Sequence, residues 1–178
     1  MISLHLETER LLLRPYELKD AQRLFEMNTD AEVLKYTDDT AFESITATKA
    51  YIKDYIENPE GQIKKYKMGR LAVIEKSTEE FVGFCGIKTH EASQITDIGY
   101  RFLRSKWGKG FATEACNEVL KFAFETHQKE QIIAHVHEQN IGSQKVAEKL
   151  GFQIDHRFLW DGLLPGRYYK LTRDAYYN

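Results

Sequence analysis

The chain has 178 residues, 42% of them hydrophobic and 29% charged, an ordinary globular mixture able to build a core without disulfides or metal. Its net charge of −2 gives no overall basic field to hold nucleic acid. No stretch reaches the roughly 18 apolar residues of a membrane span, and Met1 to Arg10 lacks the basic-then-apolar order of a signal peptide. Cys85 and Cys116 stand apart without C-x-x-C spacing and read as small core residues in a reducing compartment. One domain spanning 1–178 and a cytoplasmic location are the expectations.

In chain order, Arg10 to Arg14 (R-L-L-L-R) reads as a first strand, stopped by Pro15. Glu17 to Met27 and Ser44 to Glu57 place apolar residues at helical spacing, the second ending at Asn58-Pro59. Gly61 to Lys67 is polar and reads as loop. The period then changes to 2. Arg70 to Lys76 and Phe81 to His90 form a hairpin around Ser77-Thr78-Glu79-Glu80, and Gln94 to Leu103 adds a third strand. Gly108 to Thr126 is the longest helix, with a wide apolar face. A strand at Gln131 to His137, a helix at Ile141 to Leu150 stopped by Gly151, and strands at Phe152 to Trp160 and Arg167 to Thr172 complete the chain. The last two are joined by a loop, Asp161 to Gly166. The order βαα, βββ, α, β, α, ββ predicts an α+β fold: a mixed, mostly antiparallel sheet with helices on both faces.

The most informative stretch is Asp97 to Ala115, D-I-G-Y-R-F-L-R-S-K-W-G-K-G-F-A-T-E-A. A strand runs into a glycine turn that opens a helix. Gly108 and Gly110 let the backbone bend and let a ligand approach. The first amides of the helix have no internal acceptor and carry partial positive charge, to which Lys109 adds a full one. That arrangement suits a phosphate or pyrophosphate. It is not a P-loop, since G-x-x-x-x-G-K-[ST] is absent, nor a dinucleotide fingerprint, since Thr113 stands where the third glycine belongs. A second segment, Asn140 to Phe152 (N-I-G-S-Q-K-V-A-E-K-L-G-F), puts Asn140 and Ser143 at a helix start, where each can cap free amides.

Together these segments resemble the Gcn5-related N-acetyltransferase (GNAT) superfamily, and within it the branch containing the Rim-type ribosomal-protein N-acetyltransferases. L-E-T-E-R-L-L-L-R-P at Leu6 to Pro15 looks like that branch's opening strand. D-I-G-Y with W-G-K-G-F-A-T-E-A looks like its acetyl-CoA motif, and D-G-x-x-x-G-R-Y-Y-K-L-T-R-D like its last hairpin. The resemblance runs from Leu6 to Asp174. It implies a GNAT-like fold and an acetyl-CoA-dependent transferase acting on an amine, with a protein N-terminal α-amine as the first choice of acceptor. A small amine (aminoglycoside, polyamine or amino-acid derivative) and a non-catalytic acyl-CoA sensor are the alternatives. A monomer or homodimer is expected, with no metal, nucleic acid or membrane partner.

Residue by residue, the resemblance implies that the strand before the glycine turn splays from its neighbour, so that the backbone of Tyr100, Arg101, Phe102 and Leu103 meets the pantetheine arm. The amides of Trp107, Gly108, Lys109, Gly110, Phe111 and Ala112 would bind the pyrophosphate. Asn140 matches the asparagine on the pantetheine side, Ser143 lies toward the thiol end and Lys145 toward the nucleotide end. Two departures stand out. The Gln or Arg usual three residues before the first motif glycine is Ser105 here, with Arg104 one place away. The tyrosine acid common in the superfamily is missing among Val146, Ala147, Glu148 and Lys149, leaving Ser143 as the branch's proton donor to the leaving thiolate. Direct attack by a neutral amine is the implied chemistry, with an oxyanion contact near Phe102 or Leu103. An α-amine, with pKa near about 8, needs only a weak base, and Asp97 matches the family's acidic position. Asp97 and Ser143 are therefore the candidate catalytic residues.

Among the rest, His135 and His137 alternate on one strand and so share a face, but no third ligand has matching spacing, so no metal site is expected. Trp160, Tyr168 and Tyr169 are candidates for lining the acceptor site, with core packing for at least one of them. Glu26, Asp30 and Glu32 form an acidic cluster that reads as solvated surface or as an attracting rim for a cation.

Overall fold

The computed structural model describes residues 4–160 and 162–178; Met1 to Ser3, and Asp161 at the start of the last expected loop, lie outside the described residues. Among the described residues, eight strands form one sheet: β1 (Leu6–Glu7), β2 (Leu11–Arg14), β3 (Arg70–Glu75), β4 (Glu80–Thr89), β5 (Thr96–Phe102), β6 (Gln131–His137), β7 (Gln153–Trp160) and β8 (Leu164–Thr172). Their order is β1-β2-β3-β4-β5-β6-β8-β7, antiparallel everywhere except between β5 and β6. This is the mixed, mostly antiparallel sheet that the sequence predicts.

Helices cover both faces. α1 (Ala21–Thr29), the short α2 (Ala31–Leu34) and α3 (Ile45–Glu57) lie on one; α4 (Phe111–Lys121) and α5 (Ile141–Lys149) lie on the other; α6 (Arg173–Tyr177) ends the chain. Two apolar cores result. Leu24, Met27 and Ile52 pack with Ala72 and Ile74 under α1 and α3. Cys85, Ile98, Phe102, Ala115, Val119 and Ile132 pack under α4. Being covered on both sides, β4 is buried almost continuously rather than at alternate residues. Ser44 caps α3 by accepting from the Ala47 amide at 3.0 Å.

The structure departs from the sequence reading where an element is short. Helix Glu17 to Met27 is a 3-10 turn, Leu18–Asp20, running into α1. Gly61 to Lys67 holds a π-helical turn, Gln62–Tyr66, rather than loop. The long helix starts at Phe111, with Gly108, Lys109 and Gly110 outside it, and its last turn, Phe122–Thr126, widens to π geometry. β8 begins at Leu164, so the last three residues of the expected Gly/Pro loop, Leu164 to Gly166, are strand. β1, α2 and α6 are additions; at two to five residues they are too short to carry a period.

Candidate active site

The one parallel contact in the sheet defines the site. β5 and β6 meet at a single register pair, Asp97↔Ile133, and diverge beyond it toward Phe102 and His137. The antiparallel ladder with β4 decides which groups of β5 face the opening. Leu103 N–H bonds Val82 C=O at 3.0 Å, and Leu103, Arg101, Gly99 and Asp97 are alternate members of one register. Their amides and carbonyls point to β4, and those of Tyr100 and Phe102 point to the opening. Of the four residues expected to meet a pantetheine arm, Tyr100 to Leu103, the ladder leaves the backbone groups of Tyr100 and Phe102 facing the opening. Arg101 and Leu103 are engaged with β4, and a Leu103 amide is not free for an oxyanion. Phe102 C=O already accepts from Trp107 Nε1 at 2.9 Å, leaving its amide.

Between the splayed strands is a cavity of about 100 Å³, lined by Ile98, Tyr100, Cys116, Ala134, His135 and Ser143 among others. It is narrow, suited to a chain-like group rather than a ring system. At its α5 end the Asn140 side chain caps the helix, accepting from the Ser143 amide at 3.1 Å. Ser143 is not itself a cap: its Oγ accepts the Tyr100 hydroxyl at 3.0 Å. Burial, chiefly, pushes the Tyr100 hydroxyl's pKa up, so this phenol stays protonated and remains a donor. The sequence reading used Tyr100 only for its backbone. Lys145 lies on the exposed side of α5.

At the other end, Gly108 (φ 73°) and Gly110 (φ 81°) adopt left-handed backbone that glycine alone takes easily, and no side chain caps α4. Phe111 is buried in the core, so only its backbone is available to a ligand. Trp107 is half exposed, its ring tethered to Phe102. Arg104 does not replace the missing cation at Ser105; it pairs with Asp30 at 3.1 Å.

Alternation puts Asp97 and Arg101 on the face of α1 and α3, opposite Ile98, Tyr100 and Phe102. Asp97 Oδ2 is paired with Arg70 at 2.9 Å. Its Oδ1 faces His90 Nε2 at 3.6 Å, and both atoms are enclosed without a hydrogen bond. Arg101 binds Asn28 Oδ1 at 2.7 Å and reaches Asp39. On the same face β6, β7 and β8 carry a ring cluster. His135 packs edge-on to Phe158 and Tyr168, each with centroids 5.1 Å away, and His137 stacks parallel to Trp160 and lies 5.1 Å from Tyr36. Gly166 makes room for it, since a Cβ there would lie 2.6 Å from a Trp160 ring carbon. Burial lowers the His135 pKa, helped by His90 and His156 and opposed by Asp97 and Asp38. Tyr169 is fully buried in the core, while Trp160 and Tyr168 join the cluster. Of the acidic trio, Glu26 pairs with Arg23, Glu32 with Lys35, and Asp30 with Arg104.

Residues 10–153 match the family model described as an acetyltransferase (GNAT) domain. The chain is 35% identical over 150 residues to a Bacillus licheniformis protein described as uncharacterized N-acetyltransferase p20, covering 83% of this chain and 82% of that one. Its fold is similar to that of a GNAT-family acetyltransferase from Bacillus anthracis, with a TM-score of 0.82 at 24% identity, covering 96% and 99% of the two chains. It is also similar to a Vibrio cholerae spermidine N-acetyltransferase solved with CoA and spermine, with a TM-score of 0.78 at 18% identity, covering 96% and 100%.

Proposed function

The chain belongs to the GNAT acetyltransferase family and transfers an acetyl group to an amine; from that premise we propose that acetyl-CoA is the donor and a protein N-terminal α-amine the acceptor. The observation that carries the reading is the β5–β6 divergence, which turns the Tyr100 and Phe102 amides toward the opening and sets the Tyr100–Ser143 pair on the wall of the cavity there. These groups fit the coenzyme. The cavity takes a slender arm, and the glycine turn with the uncapped start of α4 suits a pyrophosphate.

Acetyl-CoA supplies an activated thioester. The chain holds it by strand amides on one side and turn amides on the other, which is the positioning that makes the attack effectively intramolecular. The amine approaches from the α1–α3 face, past the ring cluster and Asp97. Its nitrogen bonds the acetyl carbon while the carbon–sulfur bond breaks, and Ser143, held by Tyr100, donates a hydrogen bond to the sulfur, which departs as the thiolate and is protonated by solvent. Asp97 takes the amine's proton through a water at Oδ1, which requires His90 to shift. That restricted access favours an acceptor already partly neutral at pH 7, as an α-amine is and a lysine side chain is not. The two thiols of Cys85 and Cys116, free at 3.6 Å, support a reducing, cytoplasmic setting.

A second reading has one specific observation in its favour. The rings of Tyr36, His137 and Trp160 lie together, and Asp38 is within electrostatic reach of the adjacent His135, a combination that suits a polyamine cation. Transfer from acetyl-CoA to a panel of N-terminal peptides, blocked lysyl peptides and spermidine, read by mass spectrometry, separates the two. Acetylation of free peptide N-termini alone supports the first reading, and acetylation of spermidine alone replaces it with the second.

A further inference from the structure

α4 carries a carboxylate, Glu114, in its first turn. Beside a pyrophosphate such a charge repels the ligand, yet the chain keeps it and surrounds it. Glu114 accepts from the Arg10 amide at 3.0 Å, from Arg10 Nε at 2.7 Å and from Thr8 Oγ1 at 2.5 Å, and pairs with the second guanidinium nitrogen at 2.6 Å. The remaining arm of the same guanidinium, Nη1, bonds the Lys109 carbonyl at 3.0 Å, and the whole group lies over the Phe111 ring at 4.7 Å. Arg10 is itself fixed by the turn between β1 and β2, where the Thr8 amide bonds Leu11 C=O and the Leu11 amide bonds Thr8 Oγ1, both at 2.9 Å.

Two physical consequences follow. The peptide from Lys109 to Gly110 is trans, so its carbonyl and its N–H point in opposite directions. Tying the Lys109 carbonyl to Arg10 aims the Gly110 amide away from the protein body, outward from the turn. The guanidinium also cancels the charge of Glu114 at the place where anionic oxygen would sit. The motif position that usually carries a long polar side chain is Ser105, and Arg104 is turned to Asp30. The cation at the turn comes from the far edge of the sheet instead.

We propose that Arg10 is a positioning residue of the coenzyme site: its bonds to Lys109 and Glu114 orient the Gly110 amide toward the pyrophosphate and neutralise the carboxylate behind it. The proposal rests on the acetyl-CoA reading above.

The test is a double-mutant cycle on acetyl-CoA affinity by calorimetry, with circular dichroism to establish that each variant is folded. Arg10→Gln is expected to weaken binding about five- to tenfold, the effect of one uncompensated charge at this range. Glu114→Gln is expected to bind at least as well as the unaltered chain. The pair Arg10→Gln with Glu114→Gln is expected to recover the part of the loss that comes from the bared carboxylate and to stay below the unaltered chain by the part that comes from the Lys109 bond. A merely structural role gives the opposite order, with the double variant weakest. Acetyl-pantetheine, which lacks the phosphates, should bind Arg10→Gln and the unaltered chain alike. Arg10→Lys, which keeps the charge without the fork, decides the matter if Arg10→Gln does not fold, and it should fall between the unaltered chain and the calculated charge loss. Unchanged affinity in folded Arg10→Gln, or in Arg10→Lys in that second case, overturns the proposal while leaving the coenzyme reading standing. Absence of binding by the unaltered chain overturns the coenzyme reading itself, and the proposal with it.

Discussion

The Tyr100 hydroxyl donates to Ser143 Oγ at 3.0 Å, joining β5 to the first turn of α5 across the opening between the strands. A serine that accepts from a phenol must direct its own hydrogen elsewhere. The remaining direction of interest is the cavity that both residues line. In the proposed mechanism the pair supplies, from two elements, the donor to the leaving sulfur that the family resemblance assigns to a single tyrosine elsewhere in the superfamily.

Tyr100→Phe and Ser143→Ala are each expected to lower kcat by about 10- to 100-fold, with acetyl-CoA affinity changed less than about twofold. The effect sits at or below the low end of acid–base catalysis because a thiolate is a competent leaving group. Steady-state kinetics on the acceptor found by the peptide and amine panel, with calorimetry on the same variants, check both halves. Full activity in both variants would remove the pair from the mechanism.

Asp20 is buried and paired with Arg14 at 2.8 Å, and it also accepts the Glu17 amide at 2.8 Å. Asp20→Ala strands a buried guanidinium and is expected to cost about 3–5 kcal/mol in urea unfolding. A loss below about 1 kcal/mol would mean that Glu17, which also reaches Arg14, compensates.

Glu114 governs an acid-side dependence. Burial opposes its ionisation, but the bonds from Thr8 and Arg10 outweigh that, and its pKa lies below the ordinary glutamate value. A carboxyl lowered in the folded state contributes stability that is fully present above its unfolded pKa and is lost as pH falls through the folded value. Stability between about pH 5 and 3 should therefore fall less steeply in Glu114→Gln than in the unaltered chain, as read by urea midpoints across that range. Parallel slopes would show that the clamp does not hold Glu114 ionised.

Cys85 and Cys116, far apart in sequence, lie with sulfurs 3.6 Å apart beneath Tyr100. Burial, and the contact with Cys85, push the Cys116 thiol's pKa well up, which removes the reactive thiolate. Neither cysteine should react with a thiol reagent in the native chain, and both should react on unfolding. Rapid labelling of the folded protein would mean that the floor of the cavity opens.

The sheet and the longer helices were legible because their signals are written in consecutive residues: Leu71 to Ile74 and Phe81 to Ile87 are short apolar runs bounded by a polar turn, and the α4 face repeats at helical spacing. Asn140 was legible as a cap because a cap is local, and it meets the Ser143 amide three residues on. What was not legible depends on register between distant elements. Neither Tyr100 with Ser143, nor Arg10 with Glu114, shares a local pattern. Which backbone groups of β5 face the opening also follows only from its pairing with β4. The carboxylate of Glu114 in the first turn of a glycine-led helix proposed to face a phosphate was the available signal for a cationic partner, but nothing in the sequence says that the partner comes from Arg10.

The most direct measurement is an amide-resolved NMR titration of the folded chain with acetyl-CoA. Saturable shifts are expected at Tyr100, Phe102, Gly108, Gly110 and Ser143, with the Arg101 and Leu103 amides, bonded to β4, moving least. Shifts confined to other surfaces, or no saturation, would contradict the placement of the coenzyme between β5 and β6.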